Sequence, residues 1–142
     1  MKKRFVQGRI VLLICMLLVC LYTRAQNVAE WQTLKGDITM LMTNDMGRNG
    51  YYAQKPVAEL MGRMAGVVDP ECVIAAGDIH HFNGIASLQD PLWMTNYEQI
   101  YSHPELMIPW LPICGNHEYR GNTQAVLDYT NISRRWRIDE KY

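Results

Sequence analysis

Three short stretches carry the residues that could do chemistry: Asn44-Asp45-Met46-Gly47, Gly77-Asp78-Ile79-His80-His81 and Gly115-Asn116-His117-Glu118. Carboxylates, imidazoles and an amide oxygen suit Zn, Fe or Mn. Asp78 ends an apolar run, where a carboxylate needs a charge partner, and a cation is the simplest one. His80 and His81 follow it directly, and Asn116 with His117 adds a second amide–imidazole pair. Asp45 sits before a glycine, so by itself it reads equally as a turn residue. Each stretch alone is a weak signal. Their order and their placement after apolar runs point together to a metal site.

The elements that must position these residues follow from the pattern between them. Residues 38–43, 72–76 and 111–114 are apolar runs that read as buried parallel strands. Pro56 suits a first helical turn, and Val57, Leu60, Met61, Met64, Ala65 and Val68 recur at helical spacing up to Asp69-Pro70. A second helix is expected over 91–101 with Trp93, Tyr97 and Ile100 inward, and a third from 122 to 129. The order β-α-β-α-β-α implies an α/β fold with a parallel sheet and right-handed crossovers. A nucleotide-binding doubly wound fold shares that order, but no GxGxxG follows the first strand. Loops at strand ends are where such a sheet carries its site.

The chain of 142 residues opens on Lys2, Lys3, Arg4 and Arg9, then the apolar run 10–21, then Thr23-Arg24-Ala25. Residues 1–25 are therefore expected to be a signal peptide, with export to the periplasm or medium and no stable membrane anchor after cleavage. A retained leader would instead tether the chain to a membrane. Residues 26–36 read as a short approach segment. From residue 26 onward there are nine basic and fourteen acidic residues, a net charge of −5, which argues against nucleic acid as a partner. Cys72 and Cys114 read as buried thiols in preference to a disulfide, His103 as a surface residue, and Arg134, Arg135 and Arg137 as a solvated cluster.

The three stretches resemble the Gly-Asp-x-Gly, Gly-Asp-Asn-x-Tyr and Gly-Asn-His-Asp/Glu blocks of the calcineurin-like metallophosphoesterases, within them the small purple acid phosphatases of the tartrate-resistant type. The likeness continues through residues 111–125 and Ile132-Ser133-Arg134-Arg135-Trp136. The resemblance implies that 37–142 is the N-terminal part of a phosphoesterase domain, the β-α-β-α-β-α half of a four-layer α/β/β/α sandwich. It implies two metal ions (Fe, Mn or Zn) and a phosphate-ester substrate, hydrolysed by a water activated between the ions. Asp45 would bind the first ion, Asp78 would bridge both, and Asn116 would bind the second. His117 would meet the scissile phosphate.

The chain departs from the family pattern at Asn44, at Ile79 and at His81, which stands where the family has a tyrosinate ligand. His81 is expected to ligate in its place, giving no purple band, and His80 to reach substrate or solvent. The family's later histidine blocks have no counterpart among His80, His81, His103 and His117. The expectation is therefore a truncated phosphatase, inactive by itself. The alternative is a non-catalytic remnant that serves as a metal-binding or interaction module.

Overall fold

The computed structural model describes residues 2–138; within the first helix it describes side chains for residues 10–21 and 28–32. The chain forms two compact units, the first ending at Leu34 and the second starting at Lys35. The first unit is helix α1 (Lys2–Gln32), in which the apolar run 10–21 is exposed throughout. It extends into the expected approach segment. Among the described residues, no helix is long and apolar enough to cross a membrane. The side chains of the basic start and of Thr23-Arg24-Ala25 lie outside the described residues.

The second unit is built on three parallel strands, β1 (Met40–Thr43), β2 (Cys72–Ala76) and β3 (Trp110–Ile113), in the order β1-β2-β3. Met42 pairs with Ile74, and Ile74 with Leu111, so one cross-strand row runs through all three. Helix α2 (Gln54–Val68) crosses from β1 to β2 and ends at Asp69, whose φ of 54° breaks the helix.

The buried face of α2 is not the expected stripe. Ala58, Gly62 and Ala65 face inward with Gln54 and Val68, while Val57 and Leu60 are exposed. Small residues win that face because a neighbour sits close: a Cβ on Gly62 would lie 2.2 Å from Cγ of His103. His103, expected at the surface, is thus half-buried under the helix.

The second crossover also departs from expectation. In place of an α-helix over 91–101 there is a π-helical segment, Trp93–Glu98, followed by a 3₁₀ turn, Pro104–Leu106. Trp93, Asn96 and Tyr97 all face inward, and Ile100 is half-buried. Asn96 then serves the polar network described below.

Helix α3 (Thr123–Asp128) is capped by the Asn122 side chain accepting from the Ala125 amide at 3.1 Å. Beyond it, Trp136 lies in parallel register with Trp110: the Trp110 amide donates to the Arg135 carbonyl, and the Arg137 amide donates to the Trp110 carbonyl at 2.8 Å.

The core between sheet and crossovers is aromatic. Trp93 stacks on Tyr129 at 3.6 Å between centroids, and Tyr97, Tyr101, Trp110 and Trp136 meet edge to face. Arg135, expected in a solvated cluster, is buried here over the Tyr97 ring at 4.4 Å and pairs with Glu98 at 2.9 Å. A buried guanidinium requires such partners, and the Tyr101 and Leu106 carbonyls accept from its Nη1. Cys72 and Cys114 are both thiols, Cys114 buried and Cys72 half-buried.

Candidate metal centre

The loops after β1, β2 and β3 converge at one end of the sheet, and close backbone contacts lock them together. The Asp45 amide donates to the Gly77 carbonyl at 3.2 Å and the His81 amide to the Gly47 carbonyl at 3.3 Å. Gly47 is required there, since a Cβ would come within 1.8 Å of the Ile79 carbonyl oxygen. Asp45 and Asp78 both hold left-handed backbones, with φ of 50° and 52°. Such conformations are uncommon for non-glycine residues and tend to mark functional turns.

Asp78, His81 and His117 form the cluster: one donor atom from each lies within 4.8 Å of the others. The Asp78 carboxylate accepts from the His117 amide at 3.1 Å. The Asn116 side-chain amide lies against the Asp78 carboxylate, and in the orientation that turns its nitrogen there it would donate to both oxygens at 3.1 and 3.2 Å. His117 Nδ1 meets the Phe82 carbonyl, which can only accept, so Nδ1 carries a proton; Nε2 faces Asp78 at 3.9 Å. His81 stacks obliquely on His117 at 4.1 Å and turns Nε2 to Asp45 at 3.6 Å.

A metal fits this donor set. His81 Nδ1 is buried with no hydrogen-bond partner, and an oxygen–nitrogen donor cluster suits first-row divalent ions. Burial first, then the Arg48 and His117 charges, hold His81 below the usual histidine range, against the pull of Asp78 and Asp45. The neutral imidazole that results is the form that ligates.

Of the six residues expected at the site, Asp45, Asp78, His81, Asn116 and His117 come together at the loop ends. His80 does not. It is fully buried, its ring edge-on to Trp93 at 4.6 Å and its Nδ1 3.3 Å from the Asn96 amide nitrogen. It does not reach solvent, because Trp93 and Asn96 pack against its ring. Asn96 also accepts from the Asn49 amide at 2.6 Å, and Gln54 accepts from the Arg48 and Gly50 amides at 3.1 and 2.6 Å. This buried network fixes the loop after β1.

Glu118 was not singled out from the sequence. It is fully buried and accepts from the Ile79, His80 and Gly115 amides at 2.8, 2.9 and 2.8 Å. One carboxylate thereby ties the second loop to the third. Its signal in the sequence is a charged residue immediately after a strand-end His, where burial demands several donors.

No family model matches the chain. It is 37% identical over 133 residues to Purple acid phosphatase 4 of Arabidopsis thaliana, covering 88% of this chain and 39% of that protein. Purple acid phosphatase 3 of the same plant is 35% identical over 127 residues, covering 84% and 35%. The human tartrate-resistant acid phosphatase type 5 is 27% identical over 86 residues, covering 60% of this chain and 26% of its own length. Among solved structures, GAP50, the anchor in the inner membrane complex of Plasmodium, superposes with a TM-score of 0.58 at 22% identity, covering 63% of this chain and 29% of that one. That likeness supports the partial α/β fold. The chain spans about two-fifths of the length of the plant relatives it matches. The motif resemblance and the sequence comparison agree: the chain is a relative of the purple acid phosphatases, of both the plant and the tartrate-resistant types.

Proposed function

We propose that the chain is part of an exported, metal-dependent phosphoric ester hydrolase. The observation that carries this reading is the Asp78, His81 and His117 cluster at the ends of adjacent parallel strands. In this reading residues 1–25 are the signal peptide, 37–142 belong to a calcineurin-like phosphoesterase domain, and the open face of the sheet packs on a second sheet in a four-layer sandwich. The protein works in the periplasm or outside the cell on phosphate esters.

Asp45, Asp78, His81 and Asn116 are the residues that would hold the metal ions. Bound there, Fe, Mn or Zn ions would polarise a phosphoryl oxygen and acidify an attacking water. The chain's own contribution is positional. Glu118 keeps the Asp78 and Asn116 loops in register, and the Phe82 carbonyl orients His117 so that Nε2 faces the phosphate. Protonated, that nitrogen would donate to the leaving oxygen.

Calorimetric titration of the full chain with Mn²⁺ tests the reading, alongside hydrolysis of para-nitrophenyl phosphate. Binding that Asp78→Asn weakens at least tenfold supports the centre; unchanged binding in that variant sinks it. Binding without turnover would favour the metal-holding module.

A further inference from the structure

Next to the metal cluster, three aromatic side chains face water. Tyr51 is 72% exposed, Tyr52 86% and Phe82 65%. Isolated exposed aromatics are unremarkable, but these three line one cavity of about 420 Å³ together with Arg48 and His81. A second lobe of about 600 Å³ shares Arg48 and the three rings and extends to Asp45. Both lobes therefore open on residues of the proposed metal centre.

The wall is held in place. Tyr52 has a φ of 55°, a costly conformation for a bulky residue. The loop that imposes it is pinned from below by Gln54 and Asn96 through the Arg48, Asn49 and Gly50 amides. On the other side, the Phe82 carbonyl is engaged by His117, and the Arg48 guanidinium lies 5.2 Å from the Phe82 ring centre. The smaller lobe carries one cation, Arg48, and no carboxylate. Three ring faces beside a guanidinium favour a ligand that is planar and apolar at one end and anionic at the other. A cavity of about 150 Å³ already takes a benzene ring, so each lobe has room for a ring and its ester oxygen.

We infer that Tyr51, Tyr52, Phe82 and Arg48 form a subsite for the aromatic leaving group of an aryl phosphate monoester. The inference rests on the phosphate-ester reading of the adjacent centre and gives it a substrate class. The aryl ring packs on the aromatic wall, and its phosphate lies towards His81 and Asp45, with Arg48 between the two parts.

The test is calorimetric binding of inorganic phosphate, methyl phosphate and phenyl phosphate to the full chain saturated with Mn²⁺. Phenyl phosphate should bind about tenfold more tightly than methyl phosphate. Tyr52→Asn and Tyr51→Ala should each shrink that ratio severalfold while leaving inorganic phosphate binding unchanged. Asn accepts the left-handed backbone, so the first variant keeps the loop. Equal binding of the two esters, or a preference that survives both substitutions, overturns the subsite while inorganic phosphate binding keeps the wider reading. If none of the three phosphates binds, the phosphate-ester reading falls and the subsite falls with it. The ester comparison needs no variant, so it decides even if a substituted chain fails to fold.

Discussion

Glu118 shows how much one side chain can hold. Its two oxygens accept three backbone amides from two loops, and no water reaches it. Burial raises its pKa, while those same amides favour the charged form and pull it back down. Glu118→Ala would leave three buried donors unpaired, at a cost on the order of 3 kcal/mol or more. The expected outcome is a Tm lower by roughly ten degrees or more, read by calorimetry, with Glu118→Gln intermediate because one acceptor oxygen remains. A drop of only a degree or two would show that the loops hold without it. His80 gives the pH counterpart. Burial pushes it down to about 3, with Asp90 pulling up and His81 adding to the fall. The unfolded imidazole, near 6.5, therefore binds protons that the folded one refuses. Stability is unaffected above about pH 6.5 and falls by about 1.4 kcal/mol per unit as pH drops from there towards 3. Urea midpoints at pH 7.5 and 5 should differ, and His80→Asn should flatten that difference; an equal slope in the variant would refute the assignment. That Asp45, Asp78, His81, Asn116 and His117 share one end of the sheet was legible from the sequence, because each of their motifs follows an apolar strand run. The placement of His80 and Glu118 was not, because which neighbour in a motif turns inward is decided by backbone geometry that residue types do not encode.

Among the elements, the strands were read most closely. Cys72–Ala76 matches its apolar run, and β1 and β3 lie within or one residue from theirs. Buried parallel strands announce themselves by continuous apolarity. Helix α2 was legible as a helix but not as a face. Its apolar residues outnumber the positions that pack, and the decisive contact is made by Gly62, which carries no hydrophobic signal. The π-helical segment was illegible because its inward residues Trp93, Asn96 and Tyr97 keep the spacing of an ordinary helix. Gly62→Ala tests the packing argument directly. In an open helix the change would stabilise by up to about 1 kcal/mol. Here the new Cβ would meet Cγ and Cβ of His103 at 2.2 and 2.4 Å, atoms close to the backbone that cannot swing away. A net loss of about 1–2 kcal/mol in urea denaturation is expected, recovered in part when His103→Ala is added. Stabilisation by Gly62→Ala alone would mean that the helix moves freely.

The second unit has one sheet face packed and one open. Val73, Ala75, Trp110 and Pro112 turn towards the crossovers and are buried. On the opposite face Met40 is 54% exposed and Met42 70%, and Leu111 and Ile113 are also exposed, with Ile74 half-covered between them. The register aligns Met42, Ile74 and Leu111 in one row, so this is a continuous apolar patch and not scattered side chains. Parallel sheets are found covered on both faces, and the four-layer arrangement proposed above would supply the cover. Left open, the patch should drive association, because hydrophobic burial scales with contiguous apolar area. Met42→Thr combined with Leu111→Thr keeps β-branched or short side chains on the strands while removing two of its most exposed apolar groups. Sedimentation velocity of the full chain should show self-association in the parent and a clear shift towards monomer in the double variant. Dye binding to exposed apolar surface should fall in parallel, with Tm changed by only a few degrees, since neither side chain is packed. If the parent sediments as a monomer and binds no dye, the face is already covered, and the argument for a second layer loses its physical basis.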